Sequence, residues 1–414
     1  MERLIRPATQ PAAAVDPAIT AHLQDRVTTT FTKRWLEEWG GTSLLHGRSP
    51  GTESVHLDGN DYLGLSGHPH IVEAQVAALR KHNESVVQSG VFLHLEHPQH
   101  LLEQRMAHWV GKEDSFVCQS GYAANLGLLQ SIADAQTPVY LDTLAHMSLW
   151  EGVHAARATG HPFRHNDPQH LDRMMARHGA GVVVVDSVYS TTGAMCPLLE
   201  MIEVTERHGS MIVVDESHSL GTHGPGGAGL CQQLGLTHRV HFITASLAKA
   251  FAGRAGFFTL PAAMRNYTLT NSFPNMFSSC LLPHEIDGLA ATLDVVQQAD
   301  AERARLHMIT QRLRATFTAL GFPIHQGTEQ IIALEPGAEP DTMVLRDQFE
   351  AQDVFGAVFC APATSRNRSM LRLTLSAALT DTEVAHIECA AAAVAPIVQP
   401  WNWPIARRGG RTAA

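Results

Sequence analysis

A chain of 414 residues with 44% apolar side chains is long enough for two globular domains with buried cores. Its formal net charge of −10, with no long run of one sign, argues against nucleic acid or an anionic membrane as the main partner. No stretch approaches the ~18 apolar residues that span a bilayer, and Met1–Val15, broken by Pro7 and Pro11, holds no signal-peptide run, so a cytoplasmic protein without a membrane span is expected.

In chain order, the first predicted element is a helix with Asp16 as cap and Pro17 at its first position. Ile19, Leu23, Val27, Phe31, Trp35 and Trp39 recur every four residues, an apolar stripe that Gly40-Gly41 ends. Such a stripe packs on the body of the protein or on a partner subunit. Short apolar runs then alternate with helical stretches from about residue 60 to 283. The predicted strands are Ser115–Ser120, Val139–Asp142, Gly181–Ser187, Met211–Asp215 and Val240–Ala245. Each is apolar on both faces, as a strand covered by helices on both sides should be. The repetition predicts an α/β fold with a large doubly wound, mostly parallel sheet.

Near Asp300 the pattern changes. A charged helix (Asp300 to Leu320) ends at Gly321, followed by a strand at Ile331–Leu334, a helix from Asp341 to Gln352 and a strand at Leu371–Leu375. These predict a small C-terminal α+β domain. The expected organisation is an N-terminal helix and arm (1–59), a large domain (60–295), a small domain (296–398) and a disordered tail rich in Pro, Gly and Arg (399–414).

Ligands of such sheets bind beyond the carboxyl ends of the strands. Four predicted strands lead into polar residues there: Ser120-Gly121-Tyr122, Asp186-Ser187-Val188-Tyr189-Ser190, Asp215-Glu216-Ser217-His218 and Ser246-Leu247-Ala248-Lys249. A Ser-Gly turn into a helix offers free N–H groups to a phosphate. A partly desolvated lysine has a lowered pKa and acts as an amine nucleophile or base. An aspartate opposite a pyridine nitrogen keeps it protonated, which makes the ring an electron sink. Taken singly, each has a plainer reading: Asp215 as a helix cap, Lys249 as a solvated residue, His218 or His146 as one of 25 histidines. The six cysteines are widely spaced with no C-x-x-C pair, which reads as free thiols and no metal site. The set in this order, on consecutive strand ends, is what carries weight.

Asn60-Asp61-Tyr62-Leu63-Gly64-Leu65, Ser120–Asn125, Asp215–Gly221, Ser246–Ala250 and Leu371–Ala377 together resemble the pyridoxal phosphate (PLP)-dependent α-oxoamine synthases. The resemblance runs from about residue 55 to 395. Within that family the chain is most similar to the quorum-sensing autoinducer synthases of the CqsA/LqsA type, through Ala145–Gly152, Ser217–Pro225, Thr244–Lys249, Arg254-Ala255-Gly256, Phe277-Ser278-Ser279 and Pro362–Ser365.

The resemblance implies a PLP fold type I enzyme of the aspartate-aminotransferase-like class and a homodimer. It implies that Lys249 carries the cofactor as a Schiff base and later moves the Cα proton. Asp215 pairs with the ring nitrogen, His218 bonds the ring oxygen together with Ser190, and His146 stacks on the ring. Gly121, Tyr122 and Ser246 hold the phosphate, which Ser278 and Ser279 reach from the other subunit. Arg372 clamps the amino-acid carboxylate, and Asn60 and Tyr62 line the substrate side. The implied reaction joins a medium or long acyl-CoA to a small amino acid, or to a substrate derived from S-adenosylmethionine, with loss of CO2. The product is an α-aminoketone that serves as an autoinducer or its precursor.

Two departures from the usual family pattern agree with the autoinducer subgroup: Ser89–His94 lacks an arginine, and Ala252-Gly253-Arg254 replaces a double glycine. The alternatives are a housekeeping α-oxoamine synthase making 8-amino-7-oxononanoate or 2-amino-3-ketobutyrate, a PLP aminotransferase, and a non-catalytic regulatory relative. The full motif around Lys249 speaks against the last.

Overall fold

The computed structural model describes residues 21–81 and 87–405. The expected start of the first helix at Asp16-Pro17, and Ile19 of its stripe, lie outside the described residues, as do residues 406–414 of the expected tail.

Among the described residues eleven strands are formed: β1 (Val55–Leu57), β2 (Asp114–Cys118), β3 (Pro138–Asp142), β4 (Thr159–Phe163), β5 (Val182–Asp186), β6 (Met211–Asp215), β7 (Phe242–Ser246), β8 (Gly256–Leu260), β9 (Ile331–Gly337), β10 (Val354–Phe359) and β11 (Ser369–Thr374). Seven of them make one sheet in the order β2-β8-β7-β6-β5-β3-β4. β4, β3, β5, β6 and β7 run parallel, and β8 is antiparallel to both β2 and β7. The reason is visible in β5: four consecutive valines, all fully buried, suit a pleat covered on both faces. The parallel register places Asp186 beside Asp215, so the carboxyl ends of β5 and β6 share one edge.

The small sheet has the order β1-β10-β11-β9. It corrects the expected boundary at residue 59. β1 lies in the presumed arm, yet it pairs with β10, Val55 opposite Val354. Helix Glu339–Ala351 covers this sheet, helix Asp381–Val398 packs on that helix, and Thr380 caps the second by accepting from the Glu383 N–H at 3.2 Å.

The expected disordered tail also needs correction at its start. Trp403 is 7% exposed, stands edge-on to Phe322 with centroids 5.7 Å apart, and donates its indole N–H to the Val398 carbonyl at 3.1 Å. Burying that ring outweighs the disorder that the Pro-Gly-Arg composition suggested. The N-terminal helix runs through Ala21–Thr29 and Thr30–Glu38, and none of its residues is buried. It touches the small domain through Arg34 and Trp39, which both donate to Glu339. Among the described residues, no helix is long and apolar enough to cross a membrane.

Candidate active site

Lys249 follows β7 in a loop closed by backbone bonds from Leu247 to Ala255 and from Ala252 to Lys249, both 2.8 Å. The loop aims the amine into a cavity of about 470 Å³. Burial lowers the Lys249 pKa, the Asp215 charge opposes this, and Arg372 adds to it. The lysine is thus closer to the free amine that a nucleophile or base requires.

Asp215 ends β6 and is 3% exposed. Oδ1 accepts the Ser217 N–H and Oδ2 accepts Asn125 Nδ2, each at 2.9 Å. Among the described residues it forms no ion pair. A buried carboxylate with two neutral donors and no cation fits a protonated ring nitrogen. Asn125 spends its other N–H on Ser148 Oγ at 2.8 Å, and Ser148 Oγ lies 2.7 Å from Nδ1 of His146. One chain of bonds therefore orients both the acid and the histidine that flanks it. The His146 pKa is lowered by burial, against the pull of Asp215 and with the push of Lys249. Its ring nevertheless opens onto the cavity, so desolvation acts on it less than on His218. His218 is 4% exposed, and burial first, then Lys249, Arg372 and His146, hold it well below its ordinary range.

The opposite wall comes from the small domain and the chain before β2. Arg372 on β11 is 5% exposed, donates to the Ser190 carbonyl at 2.9 Å and to Asn60 Oδ1 at 3.2 Å, and lies 4.5 Å over the Phe359 ring. Its Nε is buried without a partner, and no carboxylate pairs with it among the described residues. Burial lowers even its pKa. A guanidinium in this state is built to receive an anion. Leu144, Met147, Trp150, Phe359 and Pro362 give the cavity an apolar side.

Gly121 opens the helix Gly121–Ile132, with Ser120 as its cap accepting from Ala123 N at 3.1 Å. A Cβ on Gly121 would lie 2.5 Å from Cβ of Ser246, so only glycine lets the end of β7 come this close. The N–H groups of Gly121 and Tyr122 donate to nothing among the described residues. They form a helix N-terminus ready for a phosphate.

Of the residues singled out from sequence, Asn60, His146, Ser190, His218, Lys249 and Arg372 line the cavity, and Asp215 lies beneath it. Gly121 packs against Ser246, and none of Gly121, Tyr122 and Ser246 is a wall of this cavity. Ser278 and Ser279 are exposed on a loop, held by Gln119, which donates to the Ser279 carbonyl. Tyr62 is not a wall of the cavity; it is fully buried behind His218. Sequence reasoning missed Asn125 and Ser148, which sit on buried helix faces and look like packing residues. It also missed Thr191, whose buried hydroxyl has no partner and which lines the cavity. Another hollow of about 520 Å³ runs along one face of the N-terminal helix, where Arg26, Thr30 and Arg34 alternate with Leu23, Val27, Phe31, Trp35 and Trp39.

Residues 52–388 match the family described as aminotransferase class I and II. The chain is 45% identical to a CAI-1 autoinducer synthase of Vibrio campbellii (strain ATCC BAA-1116), over 83% of this chain and 87% of that protein. It is 31% identical to an 8-amino-7-oxononanoate synthase of Anaeromyxobacter dehalogenans (strain 2CP-C), over 89% and 93%. In fold it is similar to a solved serine palmitoyltransferase of Sphingomonas wittichii, with a TM-score of 0.80 at 23% identity, covering 94% of this chain and 99% of that one. The chain therefore belongs to the aminotransferase class I and II family, as a PLP-dependent α-oxoamine synthase, an enzyme of the acyltransferase type.

Proposed function

We propose that this enzyme joins an acyl-CoA of medium or long chain to a small amino acid, or to an amino substrate derived from S-adenosylmethionine, with loss of CO2. The α-aminoketone formed is a quorum-sensing autoinducer or its precursor. One observation carries the reading: the Lys249 amine and Arg372, which has no carboxylate partner among the described residues and a buried Nε without a bond, face one cavity that also has an apolar side. The 45% identity to an autoinducer synthase favours the signalling branch over the housekeeping one.

Bound PLP supplies an electron sink for negative charge at the substrate's Cα. The chain's own residues would do the rest. Lys249 would hold the cofactor's aldehyde carbon and move the Cα proton. Asp215 would keep the ring nitrogen protonated, His218 with Ser190 would donate to the ring oxygen, and His146 would flank the ring. Gly121, Tyr122 and Ser246 would hold the phosphate. Arg372 fixes the substrate carboxylate with its fork, and Asn60 holds that fork in place. The apolar side takes the start of the acyl chain and keeps water from the reacting carbon.

We further propose a homodimer in the cytoplasm, with Ser278 and Ser279 reaching the partner's phosphate. Phe277 and Leu95, 72% and 80% exposed, lie uncovered next to these serines and to the neighbouring 90–92 segment, which touches Phe273–Met276. The test is mass spectrometry of the ketones made from a panel of acyl-CoAs with glycine, alanine, 2-aminobutyrate and S-adenosylmethionine. Long-chain aminoketones from the last two support the proposal. If alanine with a pimeloyl thioester wins by a wide margin, the 8-amino-7-oxononanoate reading, at 31% identity to such a synthase, replaces it. Exchange between an amino donor and a 2-oxo acid without CoA would make it an aminotransferase.

A further inference from the structure

The Tyr62 hydroxyl meets Nδ1 of His218 at 2.5 Å, while its other polar neighbour, Asn60 Oδ1, is 3.4 Å away. A phenol has one proton to give. It is a stronger acid than a neutral imidazole N–H, and an imidazole nitrogen accepts better than a phenol oxygen. The short contact is therefore O–H to Nδ1. Burial keeps both partners neutral: it raises the phenol pKa and, together with the charges of Lys249, Arg372 and His146, holds the imidazole well below its ordinary range. A neutral imidazole that accepts at Nδ1 carries its single hydrogen on Nε2. Among the described residues Nε2 bonds nothing, and His218 is a wall of the cavity.

The surroundings hold this pair in register. Gln330 Nε2 donates to the His218 carbonyl at 2.7 Å. The Tyr62 carbonyl accepts the Ala377 N–H at 2.8 Å, just past the strand that carries Arg372. The rings lie 6.0 Å apart at 57°, so the bond sets the plane of the imidazole as well as its proton.

We propose that Tyr62 is a positioning residue that locks His218 as the Nε2–H tautomer, so that a donor and never an acceptor faces the cofactor's ring oxygen. This rests on the placement of His218 against that oxygen and adds the residue that orients it. Second-sphere partners of this kind fix tautomers wherever the outer nitrogen of a histidine must keep one role.

Tyr62→Phe removes only the hydroxyl. Two readouts apply, the ¹⁵N spectrum of His218 in the cofactor-free enzyme, assigned by its loss in His218→Gln, and the pH titration of the visible band of the loaded enzyme. The wild type should show a bare Nδ1 and a protonated Nε2, and Tyr62→Phe a mixture. The band midpoint should rise by about one pH unit in Tyr62→Phe, because a donor that favours the anionic ring oxygen is lost. It should rise in His218→Gln too, with no further change in the double variant. If Tyr62→Phe leaves the ¹⁵N pattern as in the wild type, the inference is wrong, whatever the band does. If the pattern changes but His218→Gln leaves the band where it was, the placement of His218 against the ring oxygen is what fails. Should Tyr62→Phe not fold, 3-fluorotyrosine inserted at position 62 keeps the bond and strengthens the donor. A graded Nδ1 shift then supports the lock, and an unchanged one overturns it.

Discussion

Lys249, Asp215, His218 and His146 leave the carboxyl ends of neighbouring strands of one sheet, whereas Arg372, Asn60 and Pro362–Ser365 reach the same cavity from segments more than 300 residues apart in the chain. The first wall is fixed by backbone pairing, as in the Asp186–Asp215 register, and by short side-chain bonds such as Asn125 to Asp215. The second is carried by β10 and β11 of the small sheet and tied to distant parts of the chain by side-chain bridges: Arg372 to Asn60, and Arg34 to Glu339 and the Ala361 carbonyl. A wall made of sheet suits groups that must not move during chemistry. A wall made of bridges suits groups that admit and sort substrates.

If this contrast is right, changes on the sheet side lower kcat and changes on the bridged side raise KM. Lys249→Ala should cut ketone formation at least about 10³-fold, measured by product mass spectrometry. Undiminished synthesis would break the comparison at its base. Asp215→Asn should keep the cofactor bound while lowering kcat about 10²-fold, read from steady-state rates at saturating substrate. Arg372→Lys keeps the charge and loses the fork, so KM for the amino substrate should rise about tenfold with kcat nearly unchanged. A fall in kcat alone would place Arg372 with the sheet-side groups. Arg34→Ala removes a half-exposed bridge to the loop before Pro362. It should raise KM for the acyl substrate only about threefold, in keeping with the small worth of such pairs.

The smallest effect expected is on stability. Folded His218 stays neutral well below pH 6.5, whereas the unfolded chain protonates it near that value. Below pH 6.5 the unfolded state therefore binds more protons, and stability falls as the pH drops. His218→Gln should shrink the loss of melting temperature between pH 8 and pH 5 by about 2 °C, in thermal melts followed by circular dichroism.

The sheet side was largely legible in the sequence. Its strands are unbroken β-branched or apolar runs, and His146, His218 and Lys249, which line the cavity, each follow a few residues after such a run ends. β4 escaped because it is an edge strand, Thr-Gly-His-Pro-Phe, mostly exposed and with one neighbour. β8, the short run Gly256–Leu260, escaped because it follows the lysine loop closely and returns antiparallel to β7. Tyr62 was placed on the substrate side from its motif alone. Only folding brings its hydroxyl to a histidine 156 positions away. Asn125 and Ser148 fell inside stretches that carry the resemblance but had no role of their own there, since a polar residue on a buried helix face announces its partner only in three dimensions.

The pairing of β1 with β10 has a consequence for how the enzyme is made. The amino-terminal strand must wait for roughly 300 residues to leave the ribosome before its neighbour exists. The large sheet, complete by Leu260, can form meanwhile with its lysine already in place. A nascent or truncated chain that stops before this closure would hold the reactive amine without Phe359 and Arg372, which wall the cavity from the small domain.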